Sequence, residues 1–140
     1  MKQAFEERLL FLEESKLSHF NISEEILKQI TPLSIYALMV LKRSLSLVFG
    51  FTSMMRQKNF LCAAPIIRLQ IDNLLRFRAA FLVDNQSKFV VDVLEGKEVR
   101  NLKDRSDKRM TDAYLQDKLS NDYPWIKSTY KKTSGYIHLS

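Results

Sequence analysis

Residues 65–83, "PIIRLQIDNLLRFRAAFLV", constrain the fold more than any other stretch. At about 100° per residue, apolar side chains fall on every side of a helix through this segment, and such helices are usually central and buried. Yet Arg68, Asp72 and Arg76 recur at every fourth position and form one polar stripe. A buried guanidinium or carboxylate is costly unless it is paired and hydrogen-bonded. The stripe therefore predicts either a structural ion pair that fixes helix register or an interior polar site, and both interpretations stay open.

The remaining chain favours an all-α fold. Glycine and proline occur three times each, too few to supply the turns of a β-sandwich or barrel. A length of 140 residues corresponds to one domain, here 1–140. We expect a bundle of four main helices with short accessory ones, in which 32–57 and 59–83 form an antiparallel pair. Helices are predicted at 3–16, at 24–30 with Ser23 as N-cap, at 32–57 with Thr31 as cap and Pro32 in the first position, and at 59–83 starting from Asn59. A shorter helix capped within 84–87 runs through 94, another capped by Thr111 or Asp112 runs to about 119, and the last begins at 124. Residues 95–110 are expected to be an exposed connection.

Charge is distributed unevenly along the chain. Residues 1–30 hold four basic and six acidic groups, whereas residues 31–140 hold eighteen basic and ten acidic groups. The chain is thus expected to have acidic N-terminal helices (1–30) and a basic helical core (31–140). A basic body favours anionic partners such as RNA, although a solvated lysine-rich surface would have the same composition.

Location and redox chemistry are constrained by local composition. Glutamates stand where a signal peptide would have its apolar run. Lys42 and Arg43 interrupt the apolar stretch 33–55, which argues against a membrane span and predicts a buried helix in a cytoplasmic protein. Cys62 is the only cysteine, so no disulfide can form within the chain, and its setting predicts a small buried hydrophobic residue.

The second informative stretch is "YKKTSGYIHLS", residues 130–140. Tyr130, Ser134 and His138 are spaced i, i+4 and i+8 on one edge of a helix, flanked by Lys127 and Lys131. Each member of this edge can donate a hydrogen bond, and His138 can also exchange a proton near neutral pH. If the edge faces the stripe of residues 68–76, the two polar lines would satisfy each other.

Other chemistries fit less well. The two histidines, His19 and His138, lie far apart without a spaced carboxylate pair, so no metal site is expected. Three glycines are too few for a phosphate-binding loop or a dinucleotide fingerprint, so no cofactor is expected. A hydrolase built from Ser134, His138 and Asp72 would lack the strained turn that presents a nucleophile.

A basic segment lies within the predicted connection. Residues 97–109 include Arg105, Lys108 and Arg109 but no aromatic side chain. Without a surface on which bases can stack, the segment would contact RNA only through phosphates and without sequence preference. A solvated loop is the alternative.

Together, the two stretches resemble an uncharacterised group of bacterial helical proteins. That group carries R-x-x-x-D/E on its central helix and Y-x-x-x-S-G-[YF]-[IV]-H-x-S on its last helix. The resemblance spans about residues 35–140 and implies a fold and a candidate site. In such proteins the chain usually continues past the histidine, so truncation at the C-terminus is expected. The matching residues are Arg68, Asp72, Tyr130, Ser134, Gly135, Tyr136, Ile137, His138 and Ser140.

More distantly, the architecture is similar to the HEPN superfamily of helical bundles, many of which are metal-independent RNases of toxin and phage-defence systems. Their motif is an arginine, four to six residues and then a histidine on a late helix, often paired across a homodimer. Here Lys131 and Lys132 precede His138 with six and five intervening residues. Lysine keeps the charge of arginine but loses the two-pronged grip on a phosphate.

The resemblance implies a domain that binds RNA and that could cleave it. The candidate nucleic-acid contacts are Lys131, Lys127, Arg105, Lys108 and Arg109. In the cleaving version His138 acts as general acid or base, Lys131 or Arg68 offsets phosphate charge, and Asp72 orients a partner. Tyr130 and Ser134 complete the candidate site. The competing hypothesis is a non-enzymatic interaction or structural domain in which the same residues form a buried network, so the sequence leaves open whether the protein is an enzyme.

Overall fold

The computed structural model describes residues 2–138, and it describes the side chains of these residues except those at positions 16, 17, 137 and 138. This part of the chain is all-α, which confirms the predicted class. It contains six α-helices and one short 3₁₀ turn at Val99–Asn101, where four main helices were predicted. The helices are α1 (Lys2–Leu27), α2 (Pro32–Arg56), α3 (Phe60–Ala79), α4 (Gln86–Leu94), α5 (Asp112–Ser120) and α6 (Ile126–His138).

Four helices begin at side-chain caps that match the predicted ones, among which Asn85 lies within the predicted stretch 84–87 and Thr111 is one of the two predicted alternatives. Thr31 caps α2 in a reciprocal capping box with Ser34, and Pro32 occupies the first helical position. Asn59 accepts a hydrogen bond from the Cys62 N–H at 3.2 Å. Asn85 and Thr111 cap α4 and α5 in the same way.

The N-terminal segment departs from the prediction, because α1 is one continuous helix. Ser23 does not begin a new helix: its hydroxyl donates to the His19 carbonyl at 2.8 Å, four residues back within α1. At the start of α3, Cys62 is exposed rather than buried. Its neighbours Phe60 and Leu61 are exposed too, so this first turn lies outside the packed core.

Helices α2 and α3 pack antiparallel, as predicted. The Tyr36 hydroxyl donates to the Arg76 carbonyl at 3.1 Å, and the Asn73 amide donates to the Val40 carbonyl at 3.0 Å. Residue numbers thus rise on one helix as they fall on the other. Helix α1 in turn packs on α2, where the Thr52 hydroxyl donates to Glu13 at 2.8 Å.

In the described part of the chain, α2 is the one helix that is long and apolar enough to cross a membrane, with a mean hydropathy of 1.4 in its 18-residue window. A core helix of a soluble protein or a signal sequence near the N-terminus would pass the same test. The prediction of a buried helix is wrong, since only 6% of that window is buried. The neighbours α1, α3 and α4 cover part of α2 and leave Ile35, Met39 and Phe49 exposed.

The core lies around α3, as its apolar periodicity predicted. Leu75 and Ala79 of α3 are fully buried against residues of α4, α5 and α6. The connection at 95–110 also contributes, because Val99 and Met110 are 6% and 0% exposed. These two side chains correct the expectation of an exposed connection, since they anchor it to the core.

Asp104 holds the turn at the centre of this connection. Its Oδ1 accepts hydrogen bonds from the backbone N–H groups of Ser106 and Lys108, both at 2.9 Å, and its Oδ2 accepts one from the Tyr114 hydroxyl at 2.5 Å. These bonds lower the pKa of Asp104, the Tyr114 hydroxyl contributing most, although burial of the carboxyl opposes them. The connection therefore has a defined conformation and carries α5 back to the core.

Candidate functional site

The polar stripe on α3 meets the polar edge of α6. Arg68 donates from Nη1 to the Ser134 hydroxyl at 2.7 Å, from Nε to Asp72 at 3.3 Å, and from Nη2 to the Tyr130 hydroxyl. Its guanidinium carbon also lies 3.2 Å from the centroid of the Tyr130 ring. Four of the five predicted catalytic residues thus come together, and a catalytic role for them stays a prediction. The fifth is His138, whose backbone ends α6 and whose side chain lies outside the described residues.

Asp112 joins this network from α5, and sequence reasoning missed it. Its Oδ2 accepts a hydrogen bond from the Tyr130 hydroxyl at 3.0 Å and lies 4.0 Å from Arg68 Nη2. Its Oδ1 lies 2.7 Å from Arg76 Nη2, which forms an ion pair. An aspartate in the first turn of a helix is ordinary, because it favours the positive end of the helix dipole, so its sequence position gave no signal.

Burial and charge fix the protonation states in the network. Burial raises the pKa of Tyr130 to about 12, and the carboxylates of Asp112 and Asp72 add to the shift. Burial opposes ionisation of Asp112, but the Arg76 guanidinium and the Tyr130 hydroxyl outweigh it and lower the pKa of that carboxyl. At neutral pH Tyr130 is therefore a protonated donor, Asp112 is an ionised acceptor, and the phenol is a poor general base.

Arg68 is largely committed to these contacts. Its side chain is 14% exposed, and each of its three nitrogens has an oxygen acceptor on α3 or α6. Through Tyr130 the contacts continue to Asp112 on α5. The network consequently acts as a clamp that holds α5 and α6 against α3, and Arg68 has little capacity left for a ligand phosphate.

A cleft of about 460 Å³ lies beside the clamp, between α2, α3 and the residues around Val99. Arg43 of α2 and Arg76 of α3 line it together with Asp72 and Tyr36. Arg43 forms no ion pair with any described carboxylate. Arg76 is held on one side by Asp112, while its buried Nη1 has no hydrogen-bond partner among the described residues. The cleft thus offers the exposed guanidinium of Arg43 and the partly exposed side chain of Arg76, whereas its one carboxylate, Asp72, already pairs with Arg68.

The residues predicted to bind nucleic acid differ in whether their side chains already have partners within the fold. Arg105 donates to the carbonyls of Phe81 and Leu82 at 2.8 and 3.2 Å, and thereby holds the turn that follows α3. Lys127 forms an ion pair with Asp117. The side chains of Lys108, Arg109 and Lys131 are exposed, and none of them forms an ion pair with a described carboxylate.

Among the described side chains, no group of three or more histidine, cysteine, aspartate or glutamate residues could hold a metal ion. Comparison with known proteins found no matching family model, curated protein or solved structure. Functional inference therefore depends on the geometry of the clamp and the cleft.

Proposed function

We propose that this chain is a HEPN-like helical domain that binds an anionic ligand through its phosphate groups, with RNA as the ligand class. The observation that carries the proposal is the cleft beside the clamp, which is lined by Arg43, without an ion-pair partner among the described residues, and by the partly exposed side chain of Arg76. Guanidinium groups match phosphate oxygens in charge and in two-pronged geometry. A volume of about 460 Å³ falls within the range of small-ligand sites.

The surrounding charge supports the same ligand class. Residues 31–140 hold eighteen basic and ten acidic groups, which attracts a polyanion at long range. Lys108, Arg109 and Lys131 can add phosphate contacts outside the cleft, because their side chains are exposed. Such contacts raise affinity without reading sequence.

The geometry favours binding over cleavage. Arg68 is occupied by the clamp, and Tyr130 holds its proton at neutral pH. A metal-independent RNase reaction would thus depend on His138, with Lys131 to offset phosphate charge. Cleavage is a separate hypothesis, which a cleavage assay tests independently of binding.

The test compares two neighbouring cations on α2. Arg43→Gln and Lys42→Gln each remove one positive charge, but the first removes a cleft residue and the second an exposed residue about 100° away around the helix. Binding of fluorescein-labelled single-stranded RNA of mixed sequence would be followed by anisotropy at several salt concentrations. We expect Arg43→Gln to lose about tenfold in affinity and to flatten the log-log salt slope by about 0.7, the value for one phosphate contact on a single strand.

Lys42→Gln should change affinity less than twofold, because Lys42 does not line the cleft and the field of a charge that makes no phosphate contact is largely screened at moderate salt. Equal losses in the two variants would reject the cleft, and absence of RNA affinity even at low salt would reject RNA as the ligand. A cleavage assay with the same RNA, the parent chain and His138→Ala separates the enzymatic hypothesis. If the protein is a nuclease, His138→Ala should keep the affinity and abolish the cleavage, because a proton-transfer group acts mainly in the transition state.

A cytoplasmic location is part of the proposal. Lys42 and Arg43 are exposed near the middle of α2, and two adjacent cations are costly inside a bilayer. After cell lysis and ultracentrifugation, the protein is expected in the supernatant. Recovery from the membrane pellet that resists high salt would contradict this location.

A protein-interaction domain is the second candidate function. It is favoured by large apolar side chains that the described fold leaves uncovered on α1, among them Phe11 at 74% and Phe20 at 63% exposed. One of these surfaces has a pattern specific enough to indicate its partner.

A further inference from the structure

The outer face of α1 carries an uncovered heptad pattern. Helix α1 packs on α2 through the side that includes Leu9, which is 3% exposed. On the other side, six positions follow one another at alternating spacings of three and four residues, which places them in one stripe along the helix. This stripe, which we call the α1 seam, consists of Arg8, Phe11, Ser15, Ser18, Ile22 and Glu25.

The α1 seam has an apolar and small-residue centre with charged ends. Phe11 and Ile22 are 74% and 49% exposed, which is unusual for large apolar side chains on one stripe. Between them lie Ser15 and Ser18, whose small side chains allow another helix to approach closely. The Ser15 hydroxyl already donates to the Leu12 carbonyl at 2.6 Å, so its polarity is satisfied within α1.

The order of residues in the α1 seam is self-complementary when the helix is reversed. In an antiparallel pair of α1 helices, aligning Phe11 with Ile22 of a second copy also aligns Ser15 with Ser18 and Arg8 with Glu25. Each alignment occurs twice because the pair is twofold symmetric. In these alignments an apolar residue meets an apolar one, a small residue meets a small one, and a cation meets an anion.

The charged ends are free to make this exchange. Arg8 forms no ion pair with a described carboxylate. Glu25 pairs with Lys28 at 2.5 Å, but the two side chains are 71% and 66% exposed. An ion pair so open to water contributes little, so Glu25 can pair with an arginine of another chain instead.

We propose that the α1 seam is a homodimer interface, in which the α1 helices of two copies pack antiparallel. The charge complementarity of Arg8 and Glu25 selects a second copy of this chain over other occupants. The proposal does not depend on RNA binding, because the α1 seam shares no residue with the cleft of Arg43 and Arg76.

The first test removes the apolar centre. Sedimentation equilibrium of the parent chain should give a mass that rises with concentration from 16.4 kDa towards twice that value. Phe11→Ser should remain monomeric at every concentration. Phe20→Ser is the matched control, since Phe20 is also exposed on α1 but lies on the opposite side of the helix, and it should associate like the parent.

The second test reverses the charges at the two ends of the α1 seam. Only pairing between two copies of this chain predicts that the double variant regains the affinity that each single variant loses. Arg8→Glu places two glutamates at each end of the interface, and Glu25→Arg places two arginines there, so each variant should weaken the dimer at least fivefold. The double variant Arg8→Glu with Glu25→Arg restores opposite charges and should recover the parent dissociation constant. Circular dichroism verifies that the variants keep the parent helix content, since all these side chains are exposed in the monomer.

Three results would overturn the proposal: a parent chain that is monomeric at all concentrations, equal effects of Phe11→Ser and Phe20→Ser, or a double variant that stays as weak as the single ones. Sedimentation with anionic vesicles that requires Phe11, from a chain that is monomeric in solution, would assign the face to a lipid surface instead. These outcomes distinguish a second copy of this chain from any other occupant of the α1 seam.

Discussion

Arg68→Met tests whether the clamp holds α5 and α6 on α3. Methionine keeps the apolar stem of the side chain and removes the guanidinium, so the loss reports mainly on the polar contacts. Those contacts are the hydrogen bonds to Ser134 and Tyr130 and the ion pair with Asp72.

The magnitude follows from burial. Removing one partner of a buried ion pair costs about 3–5 kcal/mol, because the other charge is left without compensation. Here Asp72 is 24% exposed and can regain some hydration, and Asp112 keeps Arg76 as a partner. We therefore expect Arg68→Met to lower the free energy of unfolding by about 2–4 kcal/mol. Asp72→Ala should cost less, about 1–2 kcal/mol, because Arg68 keeps both hydroxyl acceptors.

A matched control lies on the same helix. Arg78 is 44% exposed and lies 3.6 Å from Asp122, which is 56% exposed. Arg78→Met removes the same charge from α3 without touching the clamp, so it should change stability by about 0.5 kcal/mol or less.

Urea unfolding measures these differences through two probes. Far-ultraviolet circular dichroism follows all helices, and the fluorescence of Trp125, the only tryptophan, follows the start of α6. If Arg68→Met unfolds at the same urea midpoint as Arg78→Met, the inferred clamp contributes no stability and the reasoning fails.

Two further predictions concern protonation. The hydrogen bonds from Tyr114 and the backbone lower the pKa of Asp104, so its contribution to stability is present above about 3.9, the unfolded value, and is lost as pH falls through the lower folded value. Asp104→Asn should thus cost about 1–3 kcal/mol at neutral pH and flatten the acid side of a stability-pH profile, and an unchanged acid slope would count against it. Burial and nearby carboxylates raise the pKa of Tyr130 to about 12, so its contribution is complete below about 10 and is lost as pH rises through 12. In a spectrophotometric titration, Tyr130→Phe should remove one tyrosine that ionises well above pH 10. If the number of tyrosines that ionise in this high range is unchanged, the raised pKa does not belong to Tyr130.

Local signals in the sequence were reliable where the interaction they predict is itself local. An N-cap bond reaches only three residues along the chain, so Thr31, Asn59, Asn85 and Thr111 could be recognised without knowing the fold. The same signal failed at Ser23, because a serine hydroxyl can also bond to the carbonyl four residues back inside a helix. Packing of α1 along α2 then favours one long helix over two short ones.

The candidate site was predictable as far as helical periodicity reaches. The four-residue spacing on α3 and on α6 predicted two polar lines but left open whether they face each other. In the structure they do, and Arg68 joins them through Ser134 and Tyr130. Asp112 could not be predicted, because its place depends on how the connection at 95–110 folds. That connection is mostly polar in sequence, and only its folded form reveals Val99 and Met110 as core residues.

The clamp also changes what the neighbouring cleft can do. Arg76 is held at Nη2 by Asp112, which lies next to Tyr130 and Arg68 in the same network. An arginine that is already fixed loses less side-chain freedom when a ligand binds than a free one, for which ordering costs about 0.5–1.5 kcal/mol. Arg43, exposed and without an ion-pair partner among the described residues, is the adaptable member of the pair. If the cleft binds RNA as proposed, its one fixed and one exposed, unpaired guanidinium would hold one phosphate firmly and tolerate variation in the remainder of the ligand, which suits binding without sequence readout.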